Sequence, residues 1–186
     1  MAKNKKESQR KTPVLRFKGF NDDWEQRELG KYRQVIMGQS PQSKNYTQNP
    51  NDYILIQGNA DLKNGKIFPR VYTTQLTKIA NPEDIILTVR APVREVAITD
   101  RKVVLGRGVA ALRSPKIVYY LLQKFKQDKK WDMYSSGSTF NSITSSDLQK
   151  ICFRIPSKKE RIKIEQLLEL FDNLLAHIKQ EDYLIY

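Results

Sequence analysis

Glu83 and Asp84 are adjacent carboxylates ahead of an apolar run, and a metal-dependent nuclease would need an acid-x-Lys pair on a neighbouring strand to complete a Mg²⁺ site. Thr88-Val89-Arg90 stands where that pair would be sought, so Glu83-Asp84 reads instead as the cap of a turn before a strand. Asn49-Pro50-Asn51-Asp52-Tyr53 approaches the Asn/Asp-Pro-Pro-aromatic site of an amino-methyltransferase but lacks the second proline. Gly106-Arg107-Gly108 has only two glycines and no strand-to-helix context, which reads as a turn and not as a cofactor loop. His177, the only histidine, falls beside a helical apolar stripe, so no hydrolytic triad can be assembled around it. Cys152 is the only cysteine and cannot form an internal disulfide; within Ile151-Cys152-Phe153 it is expected to be a small core residue. No catalytic residue, metal-ligand set or resident cofactor is assigned.

Binding chemistry is better supplied. Arg90 and Arg94 flank Ala91-Pro92-Val93, which places two guanidinium groups on a short stiff turn suited to phosphates or guanine edges. Two ordinary surface arginines would look the same. Lys44-Asn45-Tyr46 combines a phosphate partner, a base-edge amide and a stacking aromatic, although Asn and Tyr also serve as plain turn residues. Arg107, between its two glycines, joins this set. Ser136-Gly137-Ser138-Thr139-Phe140-Asn141 offers small hydroxyls and an amide, with Ser138, Thr139 and Asn141 as candidate contacts; a polar linker is the alternative. With 33 Lys and Arg against 20 Asp and Glu, a formal net charge of +13 favours a polyanionic partner, either nucleic acid or an acidic membrane surface.

The elements that must position these residues follow from periodicity. Hydrophobic residues at 39% and aromatics at 10% suffice for a folded core despite the charge. No apolar stretch of about 18 residues is present, and the Lys-rich start leads into no apolar h-region, so a soluble, cytoplasmic protein without a membrane partner is expected. Residues 1–12, with five cations and no periodicity, read as a basic flexible arm. From residue 14 to about 114, runs such as Tyr53-Ile54-Leu55-Ile56 and Asp84-Ile85-Ile86-Leu87-Thr88-Val89-Arg90 alternate with turn residues and predict a curled, mostly antiparallel sheet. Val118, Leu121, Leu122 and Phe125 then predict a helix over roughly 115–134, with Pro115 near its first turn.

The last segment reads as a long helix over 157–186, opened by Pro156 and a capping box in Ser157-Lys158-Lys159-Glu160. Ile164, Leu167, Phe171, Leu174 and Ile178 are spaced alternately three and four apart, an a/d seam that Leu168 and Leu175 widen on one side. Such a helix would extend roughly 40 Å, enough to pack on another helix, while docking of the stripe on its own domain is the alternative.

The order of these blocks resembles a known family. Thr12-Pro13-Val14-Leu15-Arg16-Phe17 with Asp23-Trp24-Glu25-Gln26-Arg27-Glu28-Leu29-Gly30 is similar to the opening of type I restriction-modification specificity subunits. Leu87-Thr88-Val89-Arg90-Ala91-Pro92-Val93 followed by Glu95-Val96-Ala97-Ile98 looks like the middle block of their target-recognition domains. Gly137-Ser138-Thr139-Phe140 with Ile143 and Leu148, then Ile155-Pro156-Ser157-Lys158-Lys159-Glu160-Arg161-Ile162, resembles the passage into their spacer helix. The resemblance implies an α+β fold, with a target-recognition domain over 13–156, packed by a helix, and a coiled-coil-type spacer over 157–186. It also implies a non-catalytic module that reads double-stranded DNA for modification (methyltransferase) and restriction/motor subunits, which would carry S-adenosylmethionine, ATP and Mg²⁺.

Two departures from the family pattern stand out. A full specificity subunit has two recognition domains and two spacer helices, so this sequence looks like a half-subunit expected to form a homodimer or to pair with a second half. Arg94 also stands where the family often has glycine. A non-specific nucleic-acid-binding protein, or a truncated decoy that only binds modification subunits, are the alternative readings.

Overall fold

The β-branched runs between Val35 and Leu112 form two sheets that share one core. The computed structural model describes residues 12–32, 34–90, 95–133 and 142–182. The basic arm therefore lies outside the described residues except for Thr12, as do Arg94, Ser138, Thr139 and Asn141. The chain separates into two compact units, Glu28–Cys152 and the segments on either side of it. The described residues before Glu28 thus cluster with the final helix, whereas the sequence pattern grouped 13–156 together.

Strand β1 (Glu25–Glu28) leads to the one-turn helix α1 (Leu29–Tyr32) and to β2 (Val35–Met37). There follow β3 (Tyr46–Thr47), β4 (Tyr53–Ile56), the hairpin β5 (Leu62–Lys63) and β6 (Lys66–Ile67), β7 (Tyr72–Thr73), β8 (Lys78–Ala80), β9 (Ile85–Thr88), β10 (Val96–Ile98), β11 (Val103–Leu105) and β12 (Val109–Leu112). One sheet has the order β10-β9-β12-β2 and is antiparallel throughout. The other has the order β3-β7-β4-β11-β8 and is antiparallel except that β11 runs parallel to β4, with Val104 beside Leu55.

Ile54, Ile56, Val103 and Leu105 of the second sheet meet Ile86, Ala97, Val109 and Ala111 of the first in one buried cluster. Each fully buried aliphatic side chain of this size contributes about 1.5–3 kcal/mol. β9 and β12 are buried at every position, because helix α2 (Ile117–Gln127) packs on the first sheet beside β10. A strand covered on both faces carries a continuous apolar run where a half-buried one would alternate. In the β5–β6 hairpin Asn64 and Gly65 both take positive φ, 52° and 75°, as a two-residue type I′ turn requires. A Cβ on Gly65 would also collide with the Tyr119 hydroxyl of α2.

α2 is shorter than the helix the periodicity predicted. It ends at Gln127, Lys129 turns left-handed at φ 55°, and a 3-10 turn covers Lys130–Met133. The break lets buried Trp131 fold back edge-on against Phe125, with ring centroids 5.0 Å apart. Helix α3 (Ser145–Lys150) has a complete capping box between Thr144 and Asp147 and packs against α1 and β2. Strand β13 (Cys152–Ile155) then pairs with β1. Cys152 is not the core residue expected: β13 alternates, Phe153 and Ile155 are buried, and Cys152 lies half-exposed on the opposite face.

Helix α4 (Lys158–Asp182) has 25 residues. The capping box expected at its start is half made. Ser157 Oγ accepts the Glu160 N–H at 3.4 Å, but the Glu160 carboxylate turns to Arg16, whose Nε and Nη2 donate to its two oxygens at 2.7 Å each, and to Trp24 Nε1 at 3.2 Å. Glu160 is 1% exposed. No helix of the described residues is long and apolar enough to cross a membrane.

Candidate nucleic-acid interface

Glycines bring the candidate binding loops to one corner of the two sheets. The turn Gly106–Gly108 leads from β11 into β12 and lies against the ends of β2 and β4: Gly106 N–H donates to the Ile56 carbonyl at 2.7 Å, and Gly38 N–H to the Val109 carbonyl at 2.9 Å. A Cβ on Gly38 would collide with the Gly106 carbonyl, and one on Gly108 with the Gln57 carbonyl. Only hydrogen fits at these crossings. Arg107 is exposed at the tip, its N–H donating to Ser40 Oγ at 3.2 Å.

The same corner receives the other candidates. Val89 N–H donates to the Gly108 carbonyl at 2.9 Å, and the Val89 carbonyl accepts the Ile143 N–H at 2.8 Å. Exposed Arg90 is bridged to Ser142. The described flanks of the two loops over 91–94 and 134–141 are thereby paired, while Arg94, Ser138, Thr139 and Asn141 themselves lie outside the described residues. Lys44 is exposed in the 3-10 turn Ser43–Asn45, and Tyr46 begins β3. The Tyr46 hydroxyl accepts from Gln57 Nε2 at 3.1 Å, which joins that loop to the Gly106–Gly108 turn. Asn45 is spent on structure: its Nδ2 donates to Gln75 Oε1 at 2.7 Å, and the same oxygen accepts the Gln42 N–H.

Sequence reasoning missed two residues of this corner. Asp61, 5% exposed, accepts the N–H groups of Gln57 and Gly58 at 2.7 and 3.1 Å and fixes the loop after β4. Gln57 offers an exposed amide at its centre. Neither carries a motif; a short polar run after a strand was the available signal.

Most carboxylates near the core are used in ion pairs. Arg113 Nε and Nη2 donate to the two oxygens of buried Asp84 at 3.2 and 3.4 Å, and this carboxylate, which also accepts the Asn81 N–H, raises the Arg113 pKa. The turn expected at Glu83-Asp84 is thus capped by Asp84. Lys126 pairs with Glu95 at 2.6 Å, and Arg70 lies 3.9 Å from Asp61. Among the described residues, Arg90 and Arg107 have no carboxylate partner, and no cluster of three His, Cys, Asp or Glu could hold a metal ion.

The helical stripe divides along its length. Ile164, Leu167 and Leu168 line a cavity of about 350 Å³ with Leu15, Phe17 and Trp24, and the paired Arg16 and Glu160 also line it. Beyond it Phe171, Leu174, Leu175 and Ile178 are about half exposed. His177 lies on the same exposed stretch.

Fold and corner together define an α+β module with a polar corner assembled from loops of two sheets. A family model, the type I restriction modification DNA specificity domain, matches residues 21–182, and the chain belongs to that family. It is 36% identical over 168 residues to a putative type I restriction enzyme MjaX specificity subunit of Methanocaldococcus jannaschii, covering 86% of this chain and 39% of that one. A chain from a structural study of complex assembly and conformational transition of the type I R-M system superposes with a TM-score of 0.73 at 31% identity, over 90% of this chain and 43% of that one. The HsdS subunit of Thermoanaerobacter tengcongensis gives 0.70 at 28%, over 90% and 42%. The chain spans about two fifths of the length of these relatives.

Proposed function

We propose that the chain is a non-catalytic, sequence-specific reader of double-stranded DNA within a type I restriction-modification complex. The observation that carries this reading is the corner where exposed Arg90 and Arg107, without carboxylate partners among the described residues, meet the Tyr46 loop in a chain of the specificity-domain family. Lysine and arginine contacts to phosphates supply affinity, and side chains that reach base edges supply sequence choice. Chemistry belongs to the modification and restriction/motor subunits, where S-adenosylmethionine, ATP and Mg²⁺ are expected; the site of action is the cytoplasm.

The exposed half of the α4 stripe supports pairing with a second helix, from another copy or from a complementary half, in the manner of a coiled-coil spacer. Two readers so held would recognise an interrupted site whose spacing the helix sets. Selection from a random DNA-duplex pool, by the chain alone and mixed with its modification subunits, tests the reading. Enrichment of a defined sequence establishes it, whereas retention of every duplex alike reduces the chain to a non-specific polyanion binder.

A further inference from the structure

Building on the DNA-recognition reading above, we propose that Gln57 is the side chain that reads a base, an adenine edge in the major groove, and that Tyr46 is the positioning residue that orients its amide. A side chain that discriminates between bases must start from a backbone that does not move, because an error of about 0.5 Å already misplaces a hydrogen-bonding pair. Gln57 meets that condition on both sides. Its N–H is held at 2.7 Å by the buried Asp61 carboxylate, the preceding carbonyl accepts from Gly106 at 2.7 Å, and its own carbonyl lies so close to Gly108 that no Cβ fits between them.

From this fixed base the amide projects into solvent. Nε2 donates one hydrogen to the Tyr46 hydroxyl at 3.1 Å, which leaves the second N–H and Oε1, the donor and acceptor that match adenine N7 and N6. The Asn45 amide, by contrast, already donates to Gln75. Exposed Arg107 stands on the adjoining turn, placed to hold phosphates, and phosphate contacts set register without conveying sequence. The corner thus combines cations that can anchor a duplex with an open amide on a fixed backbone that can question it.

The test compares wild type, Gln57→Ala, Gln57→Glu and Tyr46→Phe full chains in selections from the random duplex pool, with melting temperatures and affinity for a scrambled duplex measured alongside. Gln57→Ala is expected to lose an adenine preference at one position by about tenfold or more. Gln57→Glu is expected to shift that position toward cytosine, whose N4 donates to a carboxylate. Tyr46→Phe should weaken the same adenine preference without changing the base, and all three should keep the melting temperature of wild type. If wild type enriches a sequence and both Gln57 variants enrich it unchanged, or weaken every sequence equally, Gln57 is not the reader. If wild type itself enriches nothing, DNA recognition fails and the assignment of Gln57 falls with it.

Discussion

At the scale of the residue, the corner depends on atoms that are missing as much as on those present. Gly108→Ala would drive a methyl group into the Gln57 carbonyl, and backbone cannot yield there without displacing the Arg107 turn. The variant should melt at a lower temperature, since the Gly108 carbonyl also holds the Val89 N–H, and its duplex affinity should fall at least tenfold in the same selection assay. Arg107→Ala leaves the turn intact and removes one cation, so the slope of log affinity against log salt should become shallower by about 1 if Arg107 meets a phosphate; an unchanged slope would take Arg107 off the DNA path. Arg90, Lys44 and Tyr46 could be singled out from sequence because their types fit nucleic acid wherever they are placed. Gln57 and Asp61 could not, because their roles come from contacts between positions 46, 57 and 106 that no local pattern encodes. Asn45 shows the converse: a suitable type whose amide the fold has already engaged.

Elements were legible wherever one physical signal dominated. Strands β4, β9, β10 and β12 and the long final helix follow from period, and so does the buried face of α2 through Val118, Leu122 and Phe125, whereas β2, β3, β7, β8 and β11 are too short to carry a period of their own. Its end was not legible, since Lys129 carries no breaker signal and the stop comes from Trp131 packing on Phe125. Leu122 is fully buried between α2 and the first sheet, so Leu122→Ala should cost about 2–5 kcal/mol in denaturant unfolding. The cap of α3 offers a sharper test. Asp147 accepts from the Thr144 hydroxyl at 2.7 Å and from its N–H at 3.2 Å, and the hydroxyl first, then the backbone bond, lowers its pKa. A carboxylate lowered on folding stabilises fully above its unfolded value, about 3.9, and loses that contribution as pH falls through the folded value. The stability gap between wild type and Asp147→Ala should therefore stay level from neutral pH down to about 5, then close below the ordinary carboxylate range. Thr144→Ala should cost about 1 kcal/mol at neutral pH.

For the molecule as a whole, the proposed pairing of two readers requires a fixed distance between them, and the 25-residue α4 is the element on which that proposal is tested. Its first turns are committed within their own unit: Ile164, Leu167 and Leu168 line the cavity with Phe17 and Trp24, and Glu160 ties Arg16 to the helix. Glu160→Gln should lower the melting temperature by several degrees, because it removes the charge on which the Arg16 and Trp24 N–H groups converge. From Phe171 onward the stripe faces solvent, and a contiguous apolar row on a helix is the form that a partner helix covers by knobs-into-holes packing. Phe171→Asp with Leu174→Asp places two charges on that row while leaving the cavity intact. Wild type is expected to sediment as an assembly, alone or with a complementary half, and to select a two-part site of constant spacing. The double variant should sediment as a single chain and select one half of that site, with the same bases. A double variant that still selects both parts would show that the spacing is set elsewhere than along α4.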